Sequence, residues 1–391
     1  MRNTVQKFAA LAAVAALLVG AVGCSKPATS EKVSAENAPT ETKTVKIGFA
    51  APLTGDNAVY GEGMKRAVEL AIDEANASER AKEQGIVFEI AASDDAGDPK
   101  QAVNVANQLA GNTGVVGVVG HFNSGCSIPA APVYEEASLA MVSVSSNPQL
   151  TATGLENVNR VVAKDDAQGG FAGELAGKLG YKKVALIDDA TPYGQGLGTE
   201  FKKAFTAKGG EVVSEDRIQP KEVDFSALVT KLKKEGPDAV YYAGAHTEGA
   251  LITKQMKEAG LEVPVMGGDM LYTPEYIKIA TAKNAEGDIA TSLGLPLDQQ
   301  PKGADFKQAY EAKYNKSPEA YDSYAYDCAN IIIQAVLSTG TERADVMKAV
   351  RTGTLTGGVT GDISFDMNGD NKEQVISAYK VTDGEWKQIQ E

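Results

Sequence analysis

The chain has 391 residues, of which 43% are hydrophobic and 23% charged, and its formal net charge is −14. That length and apolar content exceed the needs of one small core, so two α/β domains are the expectation, and the negative charge argues against nucleic acid as a partner. With only two histidines, three cysteines and no metal-ligand pattern among them, a histidine-dependent enzyme has little material to work with, and no metal or cofactor is expected.

Residues 1–23 join Arg2 and Lys7 to an apolar run that ends in Ala21-Val22-Gly23 ahead of Cys24. This is the pattern of a secretory signal, and it is short for a membrane helix. The small residues before Cys24 resemble the bacterial lipobox, which implies lipidation of Cys24 and an exported, membrane-anchored lipoprotein. Residues 24–43 are polar and unpatterned, as a flexible tether would be. An oxidising compartment allows Cys126 and Cys328 to pair without requiring it.

From residue 45 onward short apolar runs alternate with amphipathic stretches. A strand at 45–50 leads to a helix in which Met64, Ala67, Val68, Ala71, Ile72 and Ala75 recur at three- and four-residue steps, one stripe for a sheet. Residues 86–91 read as the next strand, and Asp98-Pro99 starts a helix through residue 110. The stretch 115–151 then carries two strand ends and two polar loops. The β-branched run 115–119 ends in Gly120, and residues 121–127 are small and polar, a strand-to-helix loop. Pro129 and Pro132 are expected in the first turn of the following helix or just before it, leaving free amides near Ser124 and Gly125, where a carboxylate is attracted. A second strand at 141–144 runs into Ser145-Ser146-Asn147-Pro148, so hydroxyls lie beyond a carboxyl-terminal strand edge, where open α/β sheets hold ligands.

The pattern restarts at 184–187. Tyr193-Gly194-Gln195-Gly196 precedes a helix through residue 208, a strand begins at 211–214, and Asp224 is the expected N-cap of a helix at 225–235 that Gly236-Pro237 ends. Strands at 239–244, 263–267 and 288–292 alternate with helices at 247–259 and 274–282, the last capped by Thr273. Helices at 303–314, 321–337 and 342–351 and strands at 362–365 and 374–381 complete the chain.

Two motifs imitate other chemistry. Gly194-Gln195-Gly196-Leu197-Gly198 places its third glycine one residue early for a dinucleotide fingerprint. Asp366, Asn368 and Asp370 start like a calcium loop, but Asn371 and Ser377 stand where glycine and glutamate are needed, so a turn is expected. His121 is read as a brace for its own loop.

Residues 47–55, Asp94-Asp95-Ala96-Gly97-Asp98-Pro99, Gly120-His121, Asn147-Pro148, Tyr193-Gly194 and Asp224-Phe225-Ser226 form a colinear series. It resembles the periplasmic leucine/isoleucine/valine-binding proteins of bacterial ABC transporters, over nearly all of residues 44–391. The resemblance implies the type I periplasmic binding fold, an α/β architecture of two Rossmann-like doubly wound domains joined by three hinge crossovers. Its lobes would be 44–163 plus 293–367 and 164–292 plus 368–391, closing on a ligand. It also implies a receptor rather than an enzyme, expected as a monomer, whose partners are a membrane permease and ATPase.

Carried over position by position, the carboxylate site falls on Ser124 and the amides around Gly125. The ammonium site falls on the Val144 carbonyl, the Ser146 hydroxyl and Asp269, with Ser145 and Asn147 as neighbours in an adjacent register. Tyr60, Tyr193 and Tyr321 match positions of aromatics around the ligand. Ala245 stands where those binders tend to have tyrosine, a change that enlarges or reshapes the side-chain pocket. The family's disulfide positions correspond to Gly97 and Asn123, so that bridge is missing. The implied ligand is a branched-chain or other small neutral amino acid. Short amides or urea, and a sensor feeding a signalling receptor, are the alternatives; Asp269 favours an ammonium over an uncharged amide.

Overall fold

The computed structural model describes residues 42–389, and the signal, the tether and Cys24 lie outside them. Strands β1 (Lys43–Ala51), β2 (Ile86–Asp94), β3 (Val115–Gly120), β4 (Ala140–Ser143) and β5 (Val158–Arg160) form a parallel sheet in the order β2-β1-β3-β4-β5. The winding reverses between β1 and β3, which opens a crevice at their carboxyl ends. Every residue of β3 is buried, as befits a β-branched run covered by helices on both faces.

The second sheet repeats the plan. Strands β6 (Lys183–Asp188), β7 (Glu211–Arg217), β8 (Ala239–Ala243), β9 (Val265–Gly267) and β10 (Ile289–Ser292) run parallel in the order β7-β6-β8-β9-β10. After a small ribbon of β11 (Thr354–Leu355) and β12 (Ile363–Ser364), strands β13 (Ser377–Thr382) and β14 (Glu385–Gln388) add antiparallel edges beside β10. The chain thus passes between the two halves three times: after β5, after β10 and after β12. The first and third passages are tied together. Arg160, fully buried, donates through Nε to Asp370 at 2.9 Å and through Nη1 to the carbonyls of Ser145 and Asn147.

Periodicity placed most elements, and the exceptions have local causes. Helix Asp165–Lys178 was not anticipated because Gly169, Gly170, Gly173 and Gly177 are poor helix formers. Two of them are there for packing: a Cβ on Gly169 would come 2.8 Å from the Phe201 amide nitrogen, and one on Gly173 would come 2.7 Å from that of Phe205, so helix Pro192–Ala207 can lie close against it. Strand β5 was missed because it is only three residues long.

Pro129 and Pro132 correct the expectation that they sit at the helix start. They lie inside helix Ser124–Glu136, where their missing amides leave the carbonyls of Gly125 and Ile128 without the usual helical donor. Cys126 and Cys328 are free thiols, both buried. His121 braces more than its own loop, with Nδ1 2.6 Å from Asp95 beyond β2 and Nε2 3.0 Å from the Tyr134 hydroxyl. Asp366 closes its turn by accepting the amides of Asn368 and Asp370. Among the described residues no helix is long and apolar enough to cross a membrane.

Candidate functional site

A cavity of about 510 Å³ lies between the carboxyl-terminal edges of the two sheets. Its first wall begins where β3 ends. Helix Ser124–Glu136 starts there, and the amides of Cys126 and Ser127 both return to the Asn123 carbonyl. Those of Ser124 and Gly125 donate to no acceptor among the described residues, so the positive end of the helix faces the cavity that both residues line. The Ser124 hydroxyl accepts the Asn147 amide at 3.3 Å, which joins this loop to the one after β4. Val144 and Ser146 line the cavity from that second loop.

The opposite wall is built on the loop after β9. Asp269 opens a short 3-10 helix, Asp269–Leu271, and is almost wholly buried. Tyr193 donates to one of its carboxylate oxygens at 2.8 Å and Tyr321 donates to the other. Burial pushes the Asp269 pKa up, and hydrogen bonds from Tyr321, Tyr193 and Gln168 oppose that rise. Gly268 is required by this packing, because a Cβ there would lie 2.3 Å from the Tyr193 hydroxyl.

Phe122 forms the apolar floor. It stacks on Tyr60 with ring centroids 5.1 Å apart and meets Tyr321 edge-on at 4.9 Å. The halves meet directly around the cavity: the Tyr60 hydroxyl donates to the Met270 carbonyl at 2.6 Å, and Asn147 Nδ2 donates to the Pro192 carbonyl at 2.6 Å.

Of the residues singled out from the sequence, Ser124, Gly125, Val144, Ser146, Tyr193, Ala245, Asp269 and Tyr321 line this one cavity. Tyr60 and Ser145 are not among the lining residues. Tyr60 sits behind Phe122 and Tyr321, and the Ser145 hydroxyl turns inward to the His121 and Phe122 carbonyls at 3.1 and 2.8 Å. Gly97 and Asn123 adjoin one another, a Cβ on Gly97 lying 3.4 Å from Asn123 Oδ1.

Sequence reasoning missed Phe122, Met270, Asp189 and Glu248, all in the lining. Phe122 was within reach, since it stands two residues before Ser124 beyond the same strand. Among the described residues no group of three or more His, Cys, Asp or Glu side chains is placed to hold a metal ion. What the walls do provide is an amide-rich helix start on one side and a buried carboxylate on the other, suited to a small molecule carrying both signs of charge.

Comparison with known proteins agrees with this layout. The model of the periplasmic binding protein family matches residues 44–385. Leu/Ile/Val-binding protein homolog 1 of Brucella abortus is 36% identical over 353 residues, covering 89% of this chain and 94% of the relative. Homolog 2 of the same organism is 38% identical over 329 residues, covering 83% and 87%. Among solved structures, the leucine binding protein LivK of Thermotoga maritima superposes with a TM-score of 0.80 at 28% identity, covering 88% of this chain and 98% of that one. The branched-chain amino acid transporter substrate binding protein LivJ of Streptococcus pneumoniae, solved with isoleucine, gives 0.80 at 27%, covering 89% and 100%. With its doubled α/β halves, its cleft at their facing edges and a family match over nearly the whole described chain, this protein belongs to the periplasmic binding protein family.

Proposed function

We propose that the chain is the extracytoplasmic receptor of an ABC importer for amino acids, with branched-chain and other small neutral amino acids as the first candidates. The observation that carries this reading is the pairing, in one cavity, of the free amides at Ser124 and Gly125 with the buried carboxylate of Asp269. A zwitterion fills both needs, its carboxylate on the helix start and the Ser124 hydroxyl, its ammonium on Asp269, Ser146 and the Val144 carbonyl. The names of the relatives support the same class of ligand. Charge-assisted hydrogen bonds contribute about 1.5–3 kcal/mol each, so a few at each end reach the roughly −8 kcal/mol of micromolar binding.

In this reading the lobes are 44–163 plus 293–367 and 164–292 plus 368–391. They close on the ligand, and the closed monomer delivers it to a permease and ATPase while Cys24 holds a lipid anchor. The ligand is tested by thermal shift of protein freed of endogenous ligand, against all common amino acids, short amides and urea. Stabilisation by one or more α-amino acids supports the proposal, and stabilisation only by amides or urea replaces it.

A further inference from the structure

The cavity holds more acceptors than a neutral amino acid can engage. Asp189, Glu248 and Asp269 line it at 3%, 4% and 4% exposure, and the one basic residue among the described lining residues, Lys221, is exposed. Two of these carboxylates are already satisfied. Asp269 holds Tyr193 and Tyr321, and Asp189 accepts the Thr191 amide at 3.0 Å and its hydroxyl at 2.5 Å on one oxygen and a further backbone hydrogen bond from Ala245.

Glu248 is different. One of its oxygens accepts the Lys221 amide at 2.6 Å, and its own backbone amide is the other donor to the carboxylate. Burial pushes its pKa up, and so does the negative charge of Asp56, which reaches the cavity from the opposite half of the molecule, while the Lys221 and Glu248 amides and the Lys221 charge oppose the rise. Closing the two halves therefore sets like charges toward each other across the cleft. Next to Asp56, Asn57 lines the cavity with its Oδ1 buried and without a donor among the described residues, as does Asn123. Ala245, three residues before Glu248 at the start of the same helix, adds only a methyl group to this wall. A volume of about 510 Å³ falls within the roughly 300–1,000 Å³ that houses drug-sized ligands, so length is available beyond an aliphatic side chain.

We infer that Glu248, with Asp56 facing it, receives the cationic end of an extended side chain, and that the cavity takes basic amino acids bearing a terminal ammonium or guanidinium. This rests on the amino-acid reading above. The α-groups are held at Ser124 and Asp269, and the side-chain cation relieves the repulsion between Asp56 and Glu248 while adding donors to a wall whose basic residue, Lys221, is exposed.

The test is calorimetry with ornithine, lysine and arginine beside leucine and norleucine, on wild type, Glu248→Gln and Asp56→Asn. Saturable binding of at least one basic amino acid is expected. Glu248→Gln should lower the ratio of basic-ligand to leucine affinity at least tenfold, and Asp56→Asn should lower it about threefold. Norleucine, which keeps the chain length and lacks the charge, should bind at least tenfold more weakly than lysine. If leucine binds and no basic amino acid does, the inference is overturned while the amino-acid reading stands. If no amino acid binds at all, that reading falls first. Equal loss for leucine and lysine in Glu248→Gln would make Glu248 a structural brace of the Lys221 loop and also overturn the inference. Asp56 lies in an exposed loop, so Asp56→Asn supplies the decisive ratio even where Glu248→Gln does not fold.

Discussion

Tyr321 stands at the head of helix Asp322–Thr339, which packs against the first sheet, yet its phenol donates to Asp269 in the loop after β9 of the second. With Tyr193 on the other carboxylate oxygen, Asp269 is a carboxylate held by two phenols and buried, with no ion pair to a cation among the described residues. An ammonium brought to this carboxylate completes a desolvated pair, and truncating one partner of such a pair costs about 2–5 kcal/mol. Asp269→Ala is therefore expected to weaken binding of the best ligand at least roughly thirtyfold. Calorimetry beside wild type checks this, and a loss within about threefold, under roughly 1 kcal/mol, would remove Asp269 from the ammonium site.

Because the Tyr321 phenol links the halves, its loss should act on the closed state. Hydrogen bonds to charged groups contribute about 1.5–3 kcal/mol, so Tyr321→Phe is expected to accelerate ligand release roughly tenfold or more with little change in association. Stopped-flow kinetics separate the two rates. Small-angle scattering on the wild type should show compaction on ligand addition, and an unchanged radius of gyration at saturation would argue against hinge closure.

Much of this site was legible because the sequence marks strand ends. The loops of Ser124 and Ser146 follow short apolar strand runs, so the rule that ligands bind at carboxyl-terminal strand edges picked them out, whereas Asp269, after an apolar run and two glycines, was named by the family resemblance. Ser145 and Ser146 show where the pattern runs out. Adjacent residues on an extended segment point to opposite sides, and a string of serines does not say which hydroxyl faces the ligand; here Ser145 satisfies the carbonyls of His121 and Phe122. Helix Asp165–Lys178 was hidden for a related reason. Its glycines signal a turn in isolation and become intelligible only beside the partner helix they admit.

The buried ion pair between Arg160 and Asp370 joins two of the three passages between the halves. Burial alone would raise the Asp370 pKa, but Arg160 and Lys164 outweigh it and hold it below the usual range. A depressed carboxyl pKa gives stability that is present above the unfolded-state value and lost as pH falls through the folded one. Removing one member of a buried pair typically costs about 3–5 kcal/mol. Arg160→Met should therefore lower the denaturation midpoint strongly at pH 7, leaving the carbonyls of Ser145 and Asn147 without their donor. The deficit should shrink as pH falls below about 3.8, the ordinary carboxyl value, and on through the lower folded-state value of Asp370. A midpoint equal to wild type at pH 7 would show that the passages are held by something else.

Asp165 offers the opposite sign. It is fully buried in the first turn of its helix, beside Ser146 and close enough to Asp269 to feel its charge, and among the described residues neither carboxylate oxygen has a hydrogen-bond partner at normal geometry. Burial pushes its pKa up to about 8 from an ordinary value of 3.8, with the Asp269 charge adding to the rise and the Ser146 hydroxyl and Arg160 opposing it. A raised carboxyl pKa means that the folded state holds a proton the unfolded state has given up. The stability this confers is complete below about pH 4 and is lost progressively as pH rises through about 8. Asp165→Asn cannot ionise, so its melting temperature relative to wild type should climb steadily between pH 5 and pH 8. Other buried carboxyls with raised values, such as Asp288, are common to both proteins and cancel in that difference. Thermal melts at half-unit intervals over this window measure it directly; a variant-minus-wild-type difference that stays flat with pH would mean that Asp165 is already ionised in the folded protein at pH 5.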